Sequence, residues 1–480
     1  MSNPEALLRL LRTRPNMPAA EVREALRLNR TALLRMVRAA APEVLTIGRA
    51  RRTRYAARRP LPGCEQPLPV FRIDEQGGYD QVANLTLTYP YGSVLEWSCT
   101  DHPHELNDGC YTVCNTAGGC PWPLDEEMQD GWFEGLPYFL QDLRPEGFLG
   151  RAFARTYARL LQLPEDPREW SEEEALRAIT RFGADSVGNH IIGSAALQLY
   201  LDELQNQREP LQDAGVPLAY AQLADEAMAQ GIPGSSAAGE FPKFMASREA
   251  DGTCVKVLVK FSGADQSPGS RRWADLLICE HLASVVLPEF MGIEAAETRI
   301  VQAAGRTFLE SVRFDRHGPY GRSAVCTWAA INYAWFGLGG RPWTEGAVKL
   351  RERGLIEPAV VEDIAGIWHF GRLIANSDMH DGNLSFRPHQ IGSRAGFALA
   401  PVYDMLPMRY APVRGVELPP VNFQPSLPLP AERSAWARAA GAAVQFWDTA
   451  ARDTRISDEF RAICADNLDR VRRAIELART

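Results

Sequence analysis

The sequence predicts an α+β protein in which a small winged helix-turn-helix unit precedes a larger body of mixed strands and helices. Three observations lead to this prediction. The first sixty residues alternate short helical and strand patterns, residues 70–130 are rich in aromatic, Gly and β-branched residues, and the pattern beyond residue 320 is mostly helical. With 480 residues and 45% hydrophobic content, the chain can form several domains with sizeable cores.

The net charge of −8 hides an uneven distribution. Residues 1–60 contain fourteen Arg and four Glu, a local balance of +10, so the remainder carries −18. A basic unit on an acidic body indicates a polyanionic partner for that unit. No stretch approaches 18 uninterrupted apolar residues, and the N-terminus alternates Leu with Arg, so we expect neither a membrane partner nor secretion. The odd number of nine cysteines favours reduced thiols and a cytoplasmic location.

The order of elements in residues 1–60 is typical of a winged helix. PEALLRLLRT predicts a first helix, Pro18 begins a second, and Asn29 can cap a third, RTALLRMVRAAA. EVLTIG and RTRYAAR then predict a hairpin around Gly48, so we expect double-stranded DNA as the partner of residues 1–60. A protein-binding winged helix with a solvated basic face is the alternative. The side chains expected to contact DNA are Arg30, Arg35, Arg38, Arg49, Arg51, Arg52 and Arg54.

Residues 61–72 are proline-rich and are predicted to form a linker. Farther along, residues 131–230 turn helical, with Ser171 and Glu174 as a capping box. A Cys/His-rich segment between these regions has metal-capable side chains, but it lacks paired C-x2-C spacing, so ordinary cysteine packing is the alternative. Its candidate ligands are Cys99, His102, His104, Cys110, Cys114 and Cys120.

Lysine is scarce, and its positions are informative. Only four of the 52 basic residues are Lys, and three of them, Lys243, Lys256 and Lys260, fall within 18 residues. Lys260 ends the apolar strand VKVLVKF, which follows the small, flexible loop GIPGSSAAGEFPKF. A compact ammonium can approach a phosphate where a guanidinium would not fit, and kinases use a strand Lys in this way. We therefore predict that Lys260 contacts nucleotide phosphates.

Two later segments supply acidic and amide side chains. LIANSDMHDGNLSF contains Asp378 and Asn383 five residues apart, with His380 between them, where it is expected to position the loop. In a kinase catalytic loop, an Asp at this spacing orients the attacking hydroxyl and the Asn holds a metal ion. FALAPVYDMLP delivers Asp404 twenty-one residues after Asn383, where a second Mg²⁺ ligand is expected. Together with Lys260, these segments predict phosphoryl transfer.

These motifs resemble the HipA family of bacterial serine/threonine kinase toxins over about residues 75–480. The catalytic-loop pattern N-x-D-x-H-x-x-N begins at Asn376, LAPVYD ends at Asp404, and RFDR occupies residues 313–316. The added winged helix is similar to the YjjJ-like branch of that family. The resemblance implies a two-lobed protein-kinase fold. Its expected parts are a winged helix over residues 1–60, the linker, a mixed α/β N-lobe with an upstream helical subdomain over residues 73–314, and an all-α C-lobe over residues 315–480.

The resemblance also implies roles for individual residues, with ATP and Mg²⁺ as cofactors. Asp378 would be the catalytic Asp, and Asn383 and Asp404 would bind Mg²⁺. Ser236, seven residues before Lys243, would be autophosphorylated, which would eject its loop and silence the kinase. The chain has Gly at position 382, where the family commonly has Lys. The nucleotide contacts would come from Lys260, Lys243, Gly239 and Phe314, with Glu280 preferred over Asp275 as the acid that pairs with Lys260.

We therefore predict an ATP- and Mg²⁺-dependent kinase that phosphorylates Ser or Thr in a cellular protein; the family implies a translation component such as a tRNA synthetase. The winged helix would add DNA binding and autoregulation. One alternative is a small-molecule kinase of the aminoglycoside or choline type, because D-x-H-x-G-N also resembles the loop of those enzymes. Another is a DNA-binding regulator with a degenerate kinase body. The sequence leaves the oligomeric state open, with a homodimer as one alternative.

Overall fold

The computed structural model describes residues 4–98, 120–206, 209–229, 241–413, 417–418 and 420–479. Strands in these ranges form five small sheets, and three of them organise the molecule. The first belongs to an N-terminal unit, the second to a middle unit, and the third carries the candidate site.

The N-terminal unit consists of three helices and a three-stranded antiparallel sheet, ordered β1-β3-β2. Leu7, Leu11 and Val22 lie in its buried core. Asn29 caps the third helix, as predicted, because its side chain accepts a hydrogen bond from the backbone N–H of Ala32 at 2.8 Å. The elements are α1 Pro4–Thr13, β1 Met17–Pro18, α2 Ala19–Leu26, α3 Arg30–Ala39, β2 Val44–Ile47 and β3 Arg54–Ala57.

The middle unit is built on a five-stranded antiparallel sheet, ordered β7-β6-β5-β4-β8. The strands expected within residues 70–130 are present in the described part, and the predicted capping box forms between Ser171 and Glu174. The elements are β4 Leu68–Ile73, β5 Tyr79–Leu87, β6 Ser93–Trp97, α4 Glu126–Gln129, β7 Trp132–Phe133, α5 Tyr138–Gln141, α6 Gly147–Leu161, α7 Glu172–Phe182, β8 His190–Ile192 and α8 Ser194–Gln205. The next helix, α9 Val216–Ala229, packs on the sheet that carries the candidate site.

The prediction that residues 61–72 form a linker is wrong. Leu61 and Leu68 are buried, and β4 pairs with β5 on one side and β8 on the other. Pro69 is tolerated there because it contributes its carbonyl oxygen, which accepts a hydrogen bond from the backbone N–H of Gly193 at 2.8 Å. The proline content suggested a flexible linker, but the segment contributes a strand and buried apolar side chains to a sheet.

The N-terminal unit also packs directly against the middle unit. Ile47 of β2 and Ala56 of β3 form a buried cluster with Val94 of β6 and Trp132 of β7. The predicted wing therefore has an apolar face that is covered by the middle unit, and the two units share an interface in addition to the chain that joins them.

His190 in β8 is buried in the middle unit, and the pH dependence of the unfolding free energy tests this burial. The residue is buried beside Arg72, its partner on β4, and its ring lies 5.7 Å from the ring of Phe139. Burial, assisted by Arg72, lowers the pKa of His190 to about 4. Because an unfolded histidine has a pKa near 6.5, the unfolded state gains a proton as the pH falls from 6.5 towards 4 while the folded state does not. The stability contributed by neutral His190 is therefore present above pH 6.5 and is lost through this window.

We expect His190→Phe to remove about 2 kcal/mol of the difference in unfolding free energy between pH 7 and pH 5, measured by urea denaturation. The matched control is His389→Gln, because His389 is exposed. The control should retain the pH dependence of the wild type. A His190→Phe variant that retains it as well would contradict the assignment.

The third sheet is four-stranded and antiparallel, in the order β11-β12-β10-β9. The predicted strand VKVLVKF is part of β10 and pairs with both β9 and β12. Val257, Val259 and Phe261 of this strand are buried with Tyr220 of α9, so the alternate positions, including Lys260, point to the opposite face. The elements are β9 Lys243–Ala250, β10 Thr253–Phe261, α10 Pro268–Val286, β11 Thr298–Ala303 and β12 Arg306–Val312.

The remaining residues are mostly helical, but the prediction of an all-α region over residues 315–480 is wrong. A three-stranded antiparallel sheet is ordered β15-β16-β17, with β15 before the candidate catalytic loop and β16 and β17 after it. Phe386 and Phe397 alternate with less buried neighbours in this hairpin and stabilise it from one face. The elements are β13 Arg316–His317, β14 Gly321–Arg322, β15 Cys326–Thr327, α11 Trp328–Trp335, α12 Trp343–Glu352, α13 Pro358–Leu373, β16 Ser385–Ile391, β17 Arg394–Leu399, α14 Arg433–Arg452 and α15 Asp458–Arg479.

The largest hydrophobic cluster joins the middle unit to the C-terminal helices. Trp122 stacks on Phe139, and its ring also contacts Phe397 of β17. None of the helices among the described residues combines the length and the apolar content needed to span a membrane.

Of the candidate metal ligands between residues 99 and 120, only Cys120 falls within the described residues. Its thiol donates to the carbonyl oxygen of Trp122 at 3.8 Å, and burial raises its pKa to about 12. The described part of the chain contains no group of three or more His, Cys, Asp or Glu side chains that could hold a metal ion. The other five candidates, Cys99, His102, His104, Cys110 and Cys114, lie outside the described residues.

Candidate active site

Lys260 occupies the centre of the candidate site. It lies near the end of β10 and is 5% exposed. Its ammonium donates to Glu280 Oε1 of α10 at 2.6 Å and to Asp404 Oδ1. A buried lysine with two carboxylate partners is held in one position. The structure therefore brings together three of the residues that the sequence singles out.

A second cation lies opposite the first. Lys243 begins β9 and is the direct cross-strand partner of Lys260. Like charges at facing positions destabilise a sheet, so their juxtaposition concentrates positive charge at the site at some cost in stability. Burial lowers the pKa of Lys260, Lys243 lowers it further, and Glu280 and Asp378 oppose that shift. The second carboxylate oxygen of Glu280 is buried and has no hydrogen-bond partner among the described residues.

The loop that follows α13 is fixed by its own side-chain amides. Asn376 accepts a hydrogen bond from the backbone N–H of Asp378 at 3.0 Å, and the amide nitrogen of Asn383 donates to the Asp378 carbonyl oxygen at 2.7 Å. Both asparagines are buried, whereas the Asp378 side chain is exposed. The loop thus holds its backbone internally and presents the Asp378 carboxylate to solvent.

His380 lies on the same loop and shapes its next turn. Its Nδ1 accepts a hydrogen bond from the backbone N–H of Gly382 at 3.1 Å, which begins a short 3-10 turn over Asp381–Asn383. A Cβ atom at position 382 would lie only 3.0 Å from the His380 ring, so this turn favours Gly. His380 therefore caps the short turn that contains Gly382.

Asp404 has an uncommon backbone conformation. Its φ is +56°, in the left-handed region that non-glycine residues seldom occupy. Such a conformation costs about 1–3 kcal/mol and persists where the surroundings impose it. The Asn376 amide nitrogen donates to the Asp404 carbonyl oxygen at 3.3 Å, which links Asp404 to the loop that follows α13. The strained backbone directs the Asp404 carboxylate towards Lys260.

Tyr403 connects the loop to the segment that follows β12. Its hydroxyl donates to the Gly382 carbonyl oxygen at 2.7 Å and lies 2.7 Å from Ser385 Oγ. Its ring lies 5.9 Å from the ring of Phe314, and Arg387 covers the same Phe314 ring. Tyr403 is not among the site residues expected from the sequence, although its place next to Asp404 in LAPVYD was a usable signal.

Two acidic residues near the site have other partners. Asp275 of α10 accepts hydrogen bonds from the backbone N–H and hydroxyl of Ser457, so Lys260 pairs with Glu280. Glu310 of β12 is buried and accepts from Tyr220 and Arg248. Gly239 and Ser236, expected at the nucleotide loop, lie outside the described residues.

The oxygen donors at the site fit a divalent metal. Because the amide nitrogen of Asn383 donates to the loop backbone, its carbonyl oxygen is the atom left to coordinate. Asp404 adds a carboxylate from the segment after β17, whose backbone carbonyl oxygen accepts a hydrogen bond from Asn376 of the same loop as Asn383. Carboxylate and amide oxygens are the ligands that Mg²⁺ accepts in phosphoryl-transfer sites. The residues present therefore suit Mg²⁺.

The predicted DNA-contacting arginines divide into two groups. On α3, Arg30, Arg35 and Arg38 are exposed. By contrast, Arg52 pairs with Asp130 and Arg54 with Glu127, both at 2.9 Å across the interface with the middle unit. The two remaining arginines, Arg49 and Arg51, are exposed on the turn between β2 and β3.

Comparisons with known proteins match two consecutive parts of the chain to family models. Residues 64–201 match the family model of the YjjJ-like toxin middle domain, and residues 235–475 match that of the HipA-like C-terminal domain. Toxin YjjJ of Escherichia coli strain K12 is 38% identical over 459 residues, which cover 95% of each chain.

Two solved structures are also similar to this chain. One is Shewanella oneidensis MR-1 HipA in a toxin–antitoxin complex with HipB and operator DNA; the match covers 85% of this chain and 99% of that one, with 12% identity and a TM-score of 0.49. The other is the Helicobacter pylori proinflammatory kinase CtkA; the match covers 49% of this chain and 95% of that one, with 14% identity and a TM-score of 0.34.

Proposed function

We propose that this chain, which belongs to the YjjJ-like toxins with a HipA-like C-terminal domain, is an ATP- and Mg²⁺-dependent kinase that phosphorylates Ser or Thr in a cellular protein. The observation that carries the proposal is the contact of buried Lys260 with both Glu280 and Asp404. Phosphoryl transfer requires positioned charge more than covalent chemistry, and this cluster supplies it.

Each residue of the cluster has a separate task in the proposal. Lys260 and Lys243 would bind the nucleotide phosphates, and Glu280 would hold the Lys260 ammonium in place. Asn383 and Asp404 would hold Mg²⁺, which when bound neutralises charge on phosphoryl oxygens. Asp378 would accept a hydrogen bond from the substrate hydroxyl and orient it for attack.

The experiment that tests this proposal is incubation of the purified chain with γ-labelled ATP and Mg²⁺, with protein extract in one arm and choline or an aminoglycoside in the other. We expect label on protein Ser or Thr in the first arm, and no label with Asp378→Asn. Label only on the added small alcohol would favour the small-molecule kinase. Absence of label in every arm would favour the regulator with a degenerate kinase body.

Two parts of the proposal rest on the family resemblance. Ser236 would be the autophosphorylation site, and a translation component such as a tRNA synthetase would be the substrate. Mass spectrometry of the labelled chain tests the first, because a Ser236→Ala variant should lose the autophosphorylation label.

We extend the proposal to DNA binding by the N-terminal unit, organised as a winged helix. The exposed arginines of α3 support this function, since they lie on one short helix that presents positive charge to solvent. Arg52 and Arg54 already pair with carboxylates of the middle unit, so they contribute less to DNA than their sequence positions suggest. DNA binding would therefore depend chiefly on α3, with Arg51 on the turn between β2 and β3.

The double variant Arg35→Ala, Arg38→Ala should weaken binding to duplex DNA and reduce the slope of log affinity against log salt by about 2, because about one counterion is released per phosphate contact. Fluorescence anisotropy at several salt concentrations measures this slope. Arg159→Ala on α6 is the matched control, since Arg159 is a highly exposed arginine outside the N-terminal unit. An affinity that is independent of salt in the wild type would contradict DNA binding.

A further inference from the structure

A network of charged side chains joins the middle unit to the segment that follows β12. Asp185, in the loop after α7, accepts hydrogen bonds through Oδ1 from Arg313 at 3.0 Å and from Arg316 at 2.8 Å. These arginines flank Phe314, the residue expected to contact the nucleotide base. We propose that Asp185 is a positioning residue for the nucleotide site, acting through Arg313 and Arg316 on Phe314. This inference rests on the proposed kinase function.

A second carboxylate ties the same segment to the same loop. Asp315 accepts from Arg313 at 3.1 and 3.0 Å and from Arg316 at 2.7 Å. It also accepts from the backbone N–H of Gly188 at 2.9 Å. Arg316 in turn donates to the carbonyl oxygen of Gly188 at 2.9 Å. The loop over residues 185–188 therefore contacts every charged side chain of the RFDR segment.

This arrangement leaves Phe314 little freedom. The residues on both sides of it have their charged groups fixed, and its own carbonyl oxygen accepts from Arg387 at 3.3 Å. Its ring then faces Tyr403, whose hydroxyl bonds the catalytic loop. A continuous series of contacts thus runs from the middle unit through Phe314 to the loop that carries Asp378.

The charge balance around Arg313 and Arg316 explains why Asp185 is expected to position Phe314. Arg313 and Arg316 are largely buried and share two carboxylates, Asp185 and Asp315. A third arginine, Arg322, pairs with Arg316 across the β13–β14 hairpin and is buried as well. Removing the charge of Asp185 would leave three buried guanidinium groups against one carboxylate. Since buried charges require partners, Arg313 and Arg316 would be expected to rearrange, and Phe314 with them.

The protonation state supports this geometry. Desolvation by the packed arginine segment raises the pKa of Asp185, whose side chain is still 45% exposed, but Arg313, Arg316 and Arg322 together hold it well below its usual range. The carboxylate is therefore charged at neutral pH, and Asp185→Asn removes a full charge while preserving shape.

The experiment measures binding of a fluorescent ATP analogue with Mg²⁺, together with the KM for ATP and the kcat. We expect Asp185→Asn to raise the Kd and the KM about tenfold, with kcat changed less than twofold. Asp185→Glu should recover part of the affinity. Asp166→Asn is the matched control, because Asp166 pairs with nearby Arg168 on the same unit, and it should behave as the wild type.

Arg313→Lys provides a second variant if Asp185→Asn fails to fold. It keeps the positive charge but cannot bridge Asp185 and Asp315 with one planar fork, so we expect the same rise in Kd. If the wild type binds the analogue and both folded variants bind it equally well, the inference is wrong and the kinase proposal stands. If the wild type itself binds no nucleotide, the kinase proposal fails and the inference fails with it.

Discussion

Replacing Asp378 with Asn is expected to lower the rate of phosphoryl transfer about 10³-fold while leaving the fold and the nucleotide affinity unchanged. The reason is that the loop is anchored through the backbone of Asp378, by Asn376 and Asn383, rather than through its carboxylate. Asn therefore preserves the loop and removes only the charged oxygen that would orient the substrate hydroxyl.

Initial rates of label transfer from γ-labelled ATP measure this effect, and thermal melting verifies the fold. Asp80→Asn is the matched control, because it removes an exposed carboxylate from β5, away from the loop. Control rates should equal those of the wild type. Undiminished transfer by Asp378→Asn would show that another group orients the substrate.

Replacing Lys260 with Met is expected to abolish nucleotide binding and to lower the free energy of unfolding by about 3–5 kcal/mol. The loss of stability follows from burial, since Glu280 is only 6% exposed and would lose its cationic partner. Lys260→Arg should fail to restore binding, because the guanidinium is broader than the ammonium that the site encloses.

The double variant Lys260→Met, Glu280→Gln separates the two effects. Removing both charges of a buried pair costs far less than removing one, so the double variant should recover most of the stability and none of the nucleotide binding. Urea denaturation and titration with an ATP analogue measure the two quantities. A double variant as unstable as the single one, or a single variant that binds normally, would contradict the assigned pairing.

The sequence singled out candidate site residues without determining their contacts. Apolar flanks and spacing identified Lys260, Asp378 and Asp404, because phosphoryl transfer limits which side chains can occur in this order. The partner of Lys260 was harder to choose, since Glu280 and Asp275 both lie on α10. Five residues on a helix place them about 140° apart, and Asp275 faces Ser457, which immediately precedes α15. The choice between Glu280 and Asp275 therefore depends on Ser457, which lies nearly two hundred positions farther along the chain than Asp275.

The errors in the predicted fold also arise from contacts between residues that are far apart in the sequence. The composition of residues 61–72 suggested a linker, yet β4 is held by β5 and β8, the latter more than a hundred residues later. Likewise, the carboxylates that pair with Arg52 and Arg54 come from the middle unit. Local patterns determine helices and turns, whereas sheet partners and ion pairs depend on the tertiary fold.

The most direct test of the central claim compares the phosphoproteomes of cells expressing the wild type and Asp378→Asn at equal levels. If the chain is a protein kinase, phosphorylated Ser or Thr sites will appear with the wild type and be absent with the variant. Identical sets of phosphorylated sites in the two strains would contradict the kinase assignment.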